Sequence, residues 1–182
     1  MSCFFKWFSM RIRVITGTAM LGALVIVLDL TFWLAKIKIP FPIFPRLKFD
    51  FDGVPIILAL YLYGPYSSFV TSCIAFLVIS FRDPVSAFMK ALAEFSTALG
   101  IIPFYKKGKK FFQLIGIING IIVRTIVMAI SNILVLPFFQ ILPLEAVIAI
   151  LPFIIAFNIA AGAISAFLGY ILYESLKKRI GL

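Results

Sequence analysis

The chain has 182 residues, of which 63% are hydrophobic and 13% are charged, and its mean hydropathy is +1.15. A soluble domain of this length cannot hide so much apolar side chain, so these values exclude a water-soluble globular protein and predict an integral membrane protein. The net charge of +10 lies mainly at the ends of the apolar runs. This placement favours cytoplasmic loops and anionic lipid, and it argues against nucleic acid as a partner.

The long runs are apolar on every side rather than alternating, so we predict an all-α protein and not a β-barrel. The sequence has no His and no glycine-rich ATP-binding motif, so neither His-based catalysis nor P-loop ATP binding is expected. Its two cysteines, Cys3 and Cys73, have no metal-ligand spacing and predict no disulfide. We therefore expect no enzyme active site, no metal and no cofactor.

Six helices are predicted, without an intervening linker, and they form a single transmembrane bundle in one domain covering residues 1–182. The aromatic and basic segment before residue 14 is typical of an amphipathic start at the membrane interface. The helices cover residues 14–35, 53–63, 66–81, 85–105, 111–136 and 144–176.

Three basic clusters predict the orientation. Six spans place both termini on one side, and all three clusters then fall on that side, which the positive-inside rule makes cytoplasmic. The clusters are Lys6/Arg11/Arg13, the four lysines of residues 106–110, and Lys177/Lys178/Arg179. The first loop, residues 36–52, then lies outside with several basic residues. These residues either meet lipid phosphates or serve a solute-binding loop.

The end of the first loop is the segment around which the chain is organised. Charged and apolar side chains alternate from Leu47 to Asp52, which predicts an extended segment with one polar edge. Gly53 and Pro55 then begin a helix, and Gly64 and Pro65 end it before it is long enough to cross a bilayer. A charged loop that leads into a short helix favours a site at the membrane surface.

Ionisable residues inside spans are costly and usually have a partner or a cavity. Lys90 and Glu94 are four residues apart on one helix, so the simplest interpretation pairs them. Glu94 and Arg124 also reach similar depths on antiparallel helices, which predicts a buried structural ion pair. Asp29 lies near the outer end of the first helix and is expected to reach water.

Three amides, Asn119, Asn132 and Asn158, fall within the predicted spans, and each side chain can donate and accept hydrogen bonds. Asn132 and Asn158 lie toward the outer halves of their helices, near the first loop. Together with the aromatic residues of that loop they suit a flat heterocycle with polar edges. The alternative is hydrogen bonding between helices.

Small residues form two stripes. Ala19 and Ala23, with Gly22 beside them, lie on one face of the first helix, where they allow close helix approach. This stripe serves either packing inside the bundle or docking to a partner. The second stripe, Gly162, Ala166 and Gly169 in the last helix, is assigned to internal packing.

Several of these segments resemble the substrate-binding S components of energy-coupling factor (ECF) vitamin transporters, and within that family the riboflavin-specific branch. The first loop and the start of the second helix are similar to the corresponding branch motif. The similar segments are Leu47-Lys48-Phe49-Asp50-Phe51-Asp52-Gly53-Val54-Pro55, Gly64-Pro65, Ala19-x-x-x-Ala23, Asn132 with Leu136-Pro137, and Pro152-Phe153 with Phe157-Asn158.

The resemblance implies a six-helix riboflavin binder in the plasma membrane of a prokaryote, with its site on the outer face beneath the first loop. Carried over by residue, the riboflavin site comprises Lys48, Phe49, Asp50, Asn132 and Asn158. The implied partners are a transmembrane T subunit and two ATP-binding-cassette ATPases, which hydrolyse ATP while this chain does not. The residues implied in docking are Ala19, Gly22 and Ala23.

One position departs from the riboflavin branch, which typically has a Lys three residues after the last-helix Asn. Here that place is Ala161, three residues after Asn158. An S component for another vitamin or flavin-like heterocycle therefore stays open as an alternative. A structural or regulatory membrane subunit is the other alternative, although it leaves the loop aromatics without a role. A membrane enzyme acting on lipid lacks a nucleophile–base pair.

Overall fold

A computed structural model describes residues 2–35, 39–40, 48–107 and 109–180. The side chains of residues 2–11, 39–40, 48 and 180 lie outside this description, as does most of the first loop. Within the described residues the chain forms six helices and one pair of short strands. These elements are α1 (Ser2–Leu34), β1 (Ile39–Pro40), β2 (Lys48–Phe49), α2 (Gly53–Tyr63), α3 (Pro65–Ser80), α4 (Pro84–Ile101), α5 (Lys110–Phe138) and α6 (Leu144–Ile180).

The helix bounds agree best with the prediction where local sequence signals are strongest. α2 has the predicted bounds, since Gly64, with a φ of 95°, separates it from the proline that begins α3. α1 starts about twelve residues earlier than predicted, because the amphipathic start continues the helix. α4 ends at Ile101 rather than at residue 105, since the chain turns around Pro103.

The last two helices run past their predicted ends. α5 includes Pro137 and ends at Phe138, so the predicted stop before the proline is wrong by two residues. α6 continues to Ile180, and its last turn contains Lys177, Lys178 and Arg179. Basic side chains in a last turn interact favourably with the carbonyl end of the helix dipole, which explains the extension.

The two strands fold the first loop back on itself. β1 pairs antiparallel with β2, with Ile39 opposite Phe49 and Pro40 opposite Lys48. The extended conformation predicted for the end of this loop is therefore confirmed at β2. This pairing places Phe49 and Asp50 beside the start of α2.

The short helix α2 is the centre of the fold. It contacts α1, α3, α4 and α6, and its residues from Gly53 to Tyr61 are buried. A helix that is apolar on all sides is expected to be buried in this way. α6 approaches it closely at Gly169, where an added Cβ would lie 2.8 Å from Ile57 Cγ2. With Gly162 and Ala166 also buried, the predicted internal packing of this second small-residue stripe is confirmed.

The other helices surround α2, and each packs against its neighbours. α3 packs between α1 and α4, and α5 packs between α4 and α6. α4 and α5 cross closely, because an added Cβ on Gly100 would lie 2.6 Å from Gly120 Cα. A buried hydrogen bond of 2.6 Å joins the hydroxyls of Thr18 in α1 and Ser67 in α3.

Among the described helices, three are long and apolar enough to cross a membrane: the segments Ile12–Leu34, Lys110–Phe138 and Leu144–Arg179. α2 and α3 are shorter apolar helices. The outward face of α5 carries a large exposed apolar side chain at every fourth position. These residues are Leu114, Ile118, Ile122, Ile126, Ile130 and Leu134. An apolar ridge of this kind suits contact with lipid.

The prediction that Asp29 reaches water is wrong. Asp29 is fully buried and forms an ion pair with Arg82, which follows α3. The Arg82 guanidinium also lies over the Trp33 ring, 5.0 Å from its centroid. The turn at Asp83, whose side chain caps α4, places Arg82 beside the end of α1, and this long-range contact cannot be read from the local sequence.

Candidate functional site

An ion-paired cluster closes the end of the first loop onto α4. The Lys90 ammonium donates to the carboxylates of both Asp50 and Asp52, and the Asp52 side chain is fully buried. The alternative pairing of Lys90 with Glu94 is wrong, and Glu94 forms the predicted ion pair with Arg124 instead. Lys90 therefore ties α4 to the residues that lead into α2.

Aromatic contacts hold the same loop segment against α6 and α1. The rings of Phe49 and Phe157 have centroids 4.7 Å apart, and those of Phe51 and Phe32 are 5.6 Å apart. These separations fall in the range of favourable aromatic pairs. The end of the first loop is thus held by ion pairs with α4 and by aromatic contacts with α6 and α1.

A buried polar network lies next to this cluster. Arg124 Nη1 donates to Glu94 Oε1 at 2.8 Å and to Thr97 Oγ1 at 3.3 Å, and Arg124 Nε donates to Asn158 Oδ1 at 3.3 Å. The structure thus brings Glu94 and Arg124 together and adds Asn158 of α6. All three residues are at most 4% exposed. The network joins α4, α5 and α6 through charge-assisted hydrogen bonds, which are stronger than neutral ones.

The network and the loop cluster meet at the first residue of α2. An added Cβ on Gly53 would lie 2.2 Å from Glu94 Oε2 and 2.4 Å from Ser165 Oγ. Only glycine allows this close approach. Among the described residues, Glu94 Oε2 has no hydrogen-bond partner. Two cations and three carboxylates therefore lie together around the start of α2.

The predicted amides occupy different environments. Asn158 Nδ2 donates to Ile154 O at 2.9 Å, so this side chain is held at both its ends. Asn132 is 6% exposed and donates to Met128 O at 2.7 Å, without a described hydrogen bond to Asn158. Asn119 instead joins α5 to α4, donating to Gly100 O at 2.8 Å. Hydrogen bonding between helices, the alternative considered for these amides, thus applies to Asn119 and also to Asn158, whose Oδ1 accepts from Arg124 of α5.

The first-helix stripe divides between two faces. Ala19 and Ala23 are exposed, whereas Gly22 is buried against α3. An added Cβ on Gly22 would lie 2.5 Å from Ile74 Cδ1. Gly22 therefore permits close approach within the bundle, and the two alanines form the outward surface.

The sequence analysis did not predict the partners of Lys90, the contact of the Phe157 ring with Phe49, or the hydrogen bond from Arg124 to the Thr97 hydroxyl. A signal for the first was present, because a lysine within a span needs a carboxylate and two aspartates stand two residues apart in the loop. The other two depend on how α4 and α6 are rotated, and the sequence has no comparable signal for that.

Chemically, the site combines aromatic rings with buried donors and acceptors at the end of a loop. Such an arrangement suits binding and orientation of a polar-edged aromatic ligand, since rings supply apolar contact and a few placed polar groups supply specificity.

Comparisons with known proteins agree with this architecture. The model of the family described as ECF transporter, substrate-specific component, matches residues 13–173. The riboflavin transporter RibU of Staphylococcus aureus (strain TCH60) is 34% identical over 81% of this chain and 84% of its own length. A solved structure of the S component of a bacterial ECF transporter has a TM-score of 0.78 and 30% identity, covering 93% of this chain and 98% of that one. Because the family match extends from α1 to α6, this chain belongs to the substrate-specific components of ECF transporters.

Proposed function

We propose that this chain is the riboflavin-binding S component of an ECF-type, ATP-driven vitamin importer. The observation that carries the proposal is the cluster in which the loop residues Phe49, Asp50 and Asp52 meet Phe157 of α6 and Lys90 of α4. The similarity to a riboflavin transporter supports riboflavin as the ligand.

In this proposal the flavin lies between the first loop and the outer ends of α5 and α6. Phe49 supplies a ring contact, and Asn132 and Asn158 satisfy the polar edge of the flavin. Lys48 and Asp50 belong to the loop that closes over it. The support is positional, because Phe49 contacts α6 one residue before Asn158.

Arg124 offers a reason why Ala161 is compatible with riboflavin. The Arg124 guanidinium lies 3.3 Å from Asn158 Oδ1, and its Cδ lies against Gly162, where an added Cβ would be 2.9 Å away. A cation therefore stands beside this asparagine although α6 lacks the lysine. We propose that α5 supplies the charge that the riboflavin branch takes from α6.

The exposed alanines are the proposed docking surface. Ala19 and Ala23 face outward from α1, where small side chains permit another helix to approach closely. The proposed partners are a transmembrane T subunit and two ATP-binding-cassette ATPases, which perform ATP hydrolysis. Gly22 contributes indirectly by seating α1 against α3.

The proposed topology has one domain of six spans in the plasma membrane, with α2 buried inside the bundle and both termini cytoplasmic. The basic clusters support this orientation. A reporter inserted at Lys107 is expected to be cytoplasmic and one at Pro42, outside the described residues, extracellular. Reporters on the same side would contradict six spans.

Calorimetric titration of riboflavin into the purified protein tests the proposed site. An unmatched buried polar group costs about 1–3 kcal/mol. Since about 1.4 kcal/mol is a factor of ten, Asn158→Leu is expected to weaken binding roughly ten- to a hundredfold. Asn119→Leu is the matched control, because it removes the same amide from the α4–α5 contact and is expected to change binding much less.

Two outcomes would contradict this assignment. Equal losses for the two leucine variants would mean that the amides act through bundle stability. Unchanged affinity in Asn158→Leu would place the ligand elsewhere. Failure of the wild-type protein to bind riboflavin would instead refute the proposed function itself.

A further inference from the structure

A cavity of about 350 Å³ lies at the opposite end of α2 from the first loop. The end of α2, the α4–α5 turn, α5 and α6 line it. Because α2 has 11 residues, about 16 Å of helix separates this cavity from the loop cluster. The residues that carry the argument are Tyr61, Lys106, Gln113, Tyr173, Glu174 and Lys177.

Stacked tyrosines form one wall of the cavity. The rings of Tyr61 and Tyr173 have centroids 5.1 Å apart at an interplanar angle of 22°, and Tyr170 lies 5.5 Å from Tyr61. Tyr61 is only 6% exposed, and its hydroxyl has no hydrogen-bond partner among the described residues. A buried tyrosine hydroxyl usually has a partner, so this one marks a place for a polar ligand.

Gln113 adds a second unmatched group with a fixed orientation. Its Nε2 donates to Tyr105 O at 2.9 Å and to Lys107 O at 2.7 Å, so both amide hydrogens are used. This leaves Oε1 as an acceptor, buried and without a partner in the part of the chain that the structure describes. Gln113 is 6% exposed. A ligand that fills the cavity must therefore bring a hydrogen-bond donor.

The charged residues of the cavity favour an anionic ligand that also carries hydroxyl groups. Lys106 and Lys177 lie over the rings of Tyr105 and Tyr173, 5.5 and 5.8 Å from their centroids. Two ammonium groups suit a phosphate. Glu174 and Gln113 Oε1 accept hydrogen bonds and cannot contact a bare phosphate favourably, but they suit hydroxyl donors.

Apolar side chains flank the cavity residues along the chain. On α5, Phe111 and Leu114 are 67% and 44% exposed, and on α6, Ile171 and Leu172 are 54% and 44% exposed. α5 and α6 are two of the helices long enough to span a membrane. A ligand with a polar head and apolar chains would satisfy both environments at this end of the bundle.

We propose that this cavity binds the polyol-phosphate headgroup of an anionic lipid such as phosphatidylglycerol. The phosphate lies between Lys106 and Lys177 and accepts a hydrogen bond from the Tyr61 hydroxyl. The glycerol hydroxyls donate to Gln113 Oε1 and Glu174. The acyl chains extend along the exposed sides of α5 and α6. This site is separate from the proposed riboflavin site and does not depend on it.

Thermal unfolding in neutral detergent micelles tests the proposal. Saturating phosphatidylglycerol is expected to raise the unfolding midpoint by roughly 5 °C, because a ligand that binds the folded state stabilises it. Phosphatidylcholine, phosphatidic acid and soluble sn-glycerol 3-phosphate at the same concentration are expected to give smaller shifts. The double variant Lys106→Gln/Lys177→Gln should lose most of the shift. The variant Lys109→Gln/Lys110→Gln makes the same charge change outside the cavity and should retain it.

Each contrary result overturns a named part of the proposal. Equal losses in the two lysine variants would mean diffuse attraction of anionic lipid. An equal shift of the unfolding midpoint with phosphatidic acid would mean that the site does not recognise the glycerol hydroxyls. An equal shift with sn-glycerol 3-phosphate would mean that the ligand is a soluble anion and not a lipid. If the cavity variant does not fold, Tyr61→Phe removes only the buried hydroxyl and should still reduce the phosphatidylglycerol shift, while an unchanged shift would contradict the site.

Discussion

Replacing Arg124 by methionine removes the cation from the buried network between α4, α5 and α6. Glu94 is 3% exposed and would be left as a buried carboxylate without its ion-pair partner. Breaking a buried pair in this way typically costs about 3–5 kcal/mol. Because stabilities of native proteins are about 5–15 kcal/mol, Arg124→Met is expected to lose a large part of the free energy of unfolding.

The double variant Arg124→Met/Glu94→Leu is expected to recover most of that loss. Replacing both ions of a buried pair by apolar residues of similar volume is often neutral or stabilising. The neighbours keep partners of their own, since Thr97 Oγ1 donates to Ala93 O at 2.8 Å and Asn158 Nδ2 to Ile154 O at 2.9 Å. Riboflavin affinity is not expected to recover with stability, because the proposed cation beside Asn158 is gone.

Denaturant unfolding in detergent, followed by circular dichroism, measures these changes. Arg179→Met is the control, because it removes the same charge from an exposed position in the last turn of α6. Its expected effect is within about 0.5 kcal/mol. A double variant as unstable as Arg124→Met would refute the reasoning, as would an Arg124→Met protein that unfolds no more easily than the control.

Two further predictions follow from the loop cluster and the alanine surface. Lys90→Met leaves Asp50 and Asp52 without their shared cation and should speed riboflavin release roughly tenfold in stopped-flow fluorescence, since a hydrogen bond to a charged group contributes about 1.5–3 kcal/mol. Lys90→Arg, which keeps the charge, should stay close to wild type, and wild-type release in Lys90→Met would show that this cluster does not close the site. Ala23→Leu should leave riboflavin binding by the isolated protein intact and abolish cellular uptake, because the larger side chain prevents close helix approach. Loss of folding together with binding would instead assign Ala23 to internal packing.

The sequence predicted α2 well because its limits are local. Gly53, Pro55 and the Gly64–Pro65 pair act on the backbone conformation of their own neighbours. The exposed and basic ends of the long helices were less predictable. α1 extends back to Ser2 and α6 forward to Ile180, since neither terminal segment contains a residue that stops a helix.

The sequence predicted an ion pair correctly only where the depth of the two residues in the membrane determines which residues meet. Glu94 and Arg124 lie at matching depths on neighbouring antiparallel helices, so counting residues brought them together. A Lys90–Glu94 pair was the alternative, because the four-residue rule considers one helix at a time. The actual partners of Lys90, Asp50 and Asp52, depend on where the first loop lies against α4.

Riboflavin binding can be observed in the absorbance spectrum of the purified protein. The spectrum is recorded before and after incubation with riboflavin and removal of the unbound ligand. A riboflavin-binding protein should show the yellow colour and absorption bands of a bound flavin at about one equivalent per chain. A folded, monodisperse protein that stays colourless after the incubation would contradict riboflavin binding.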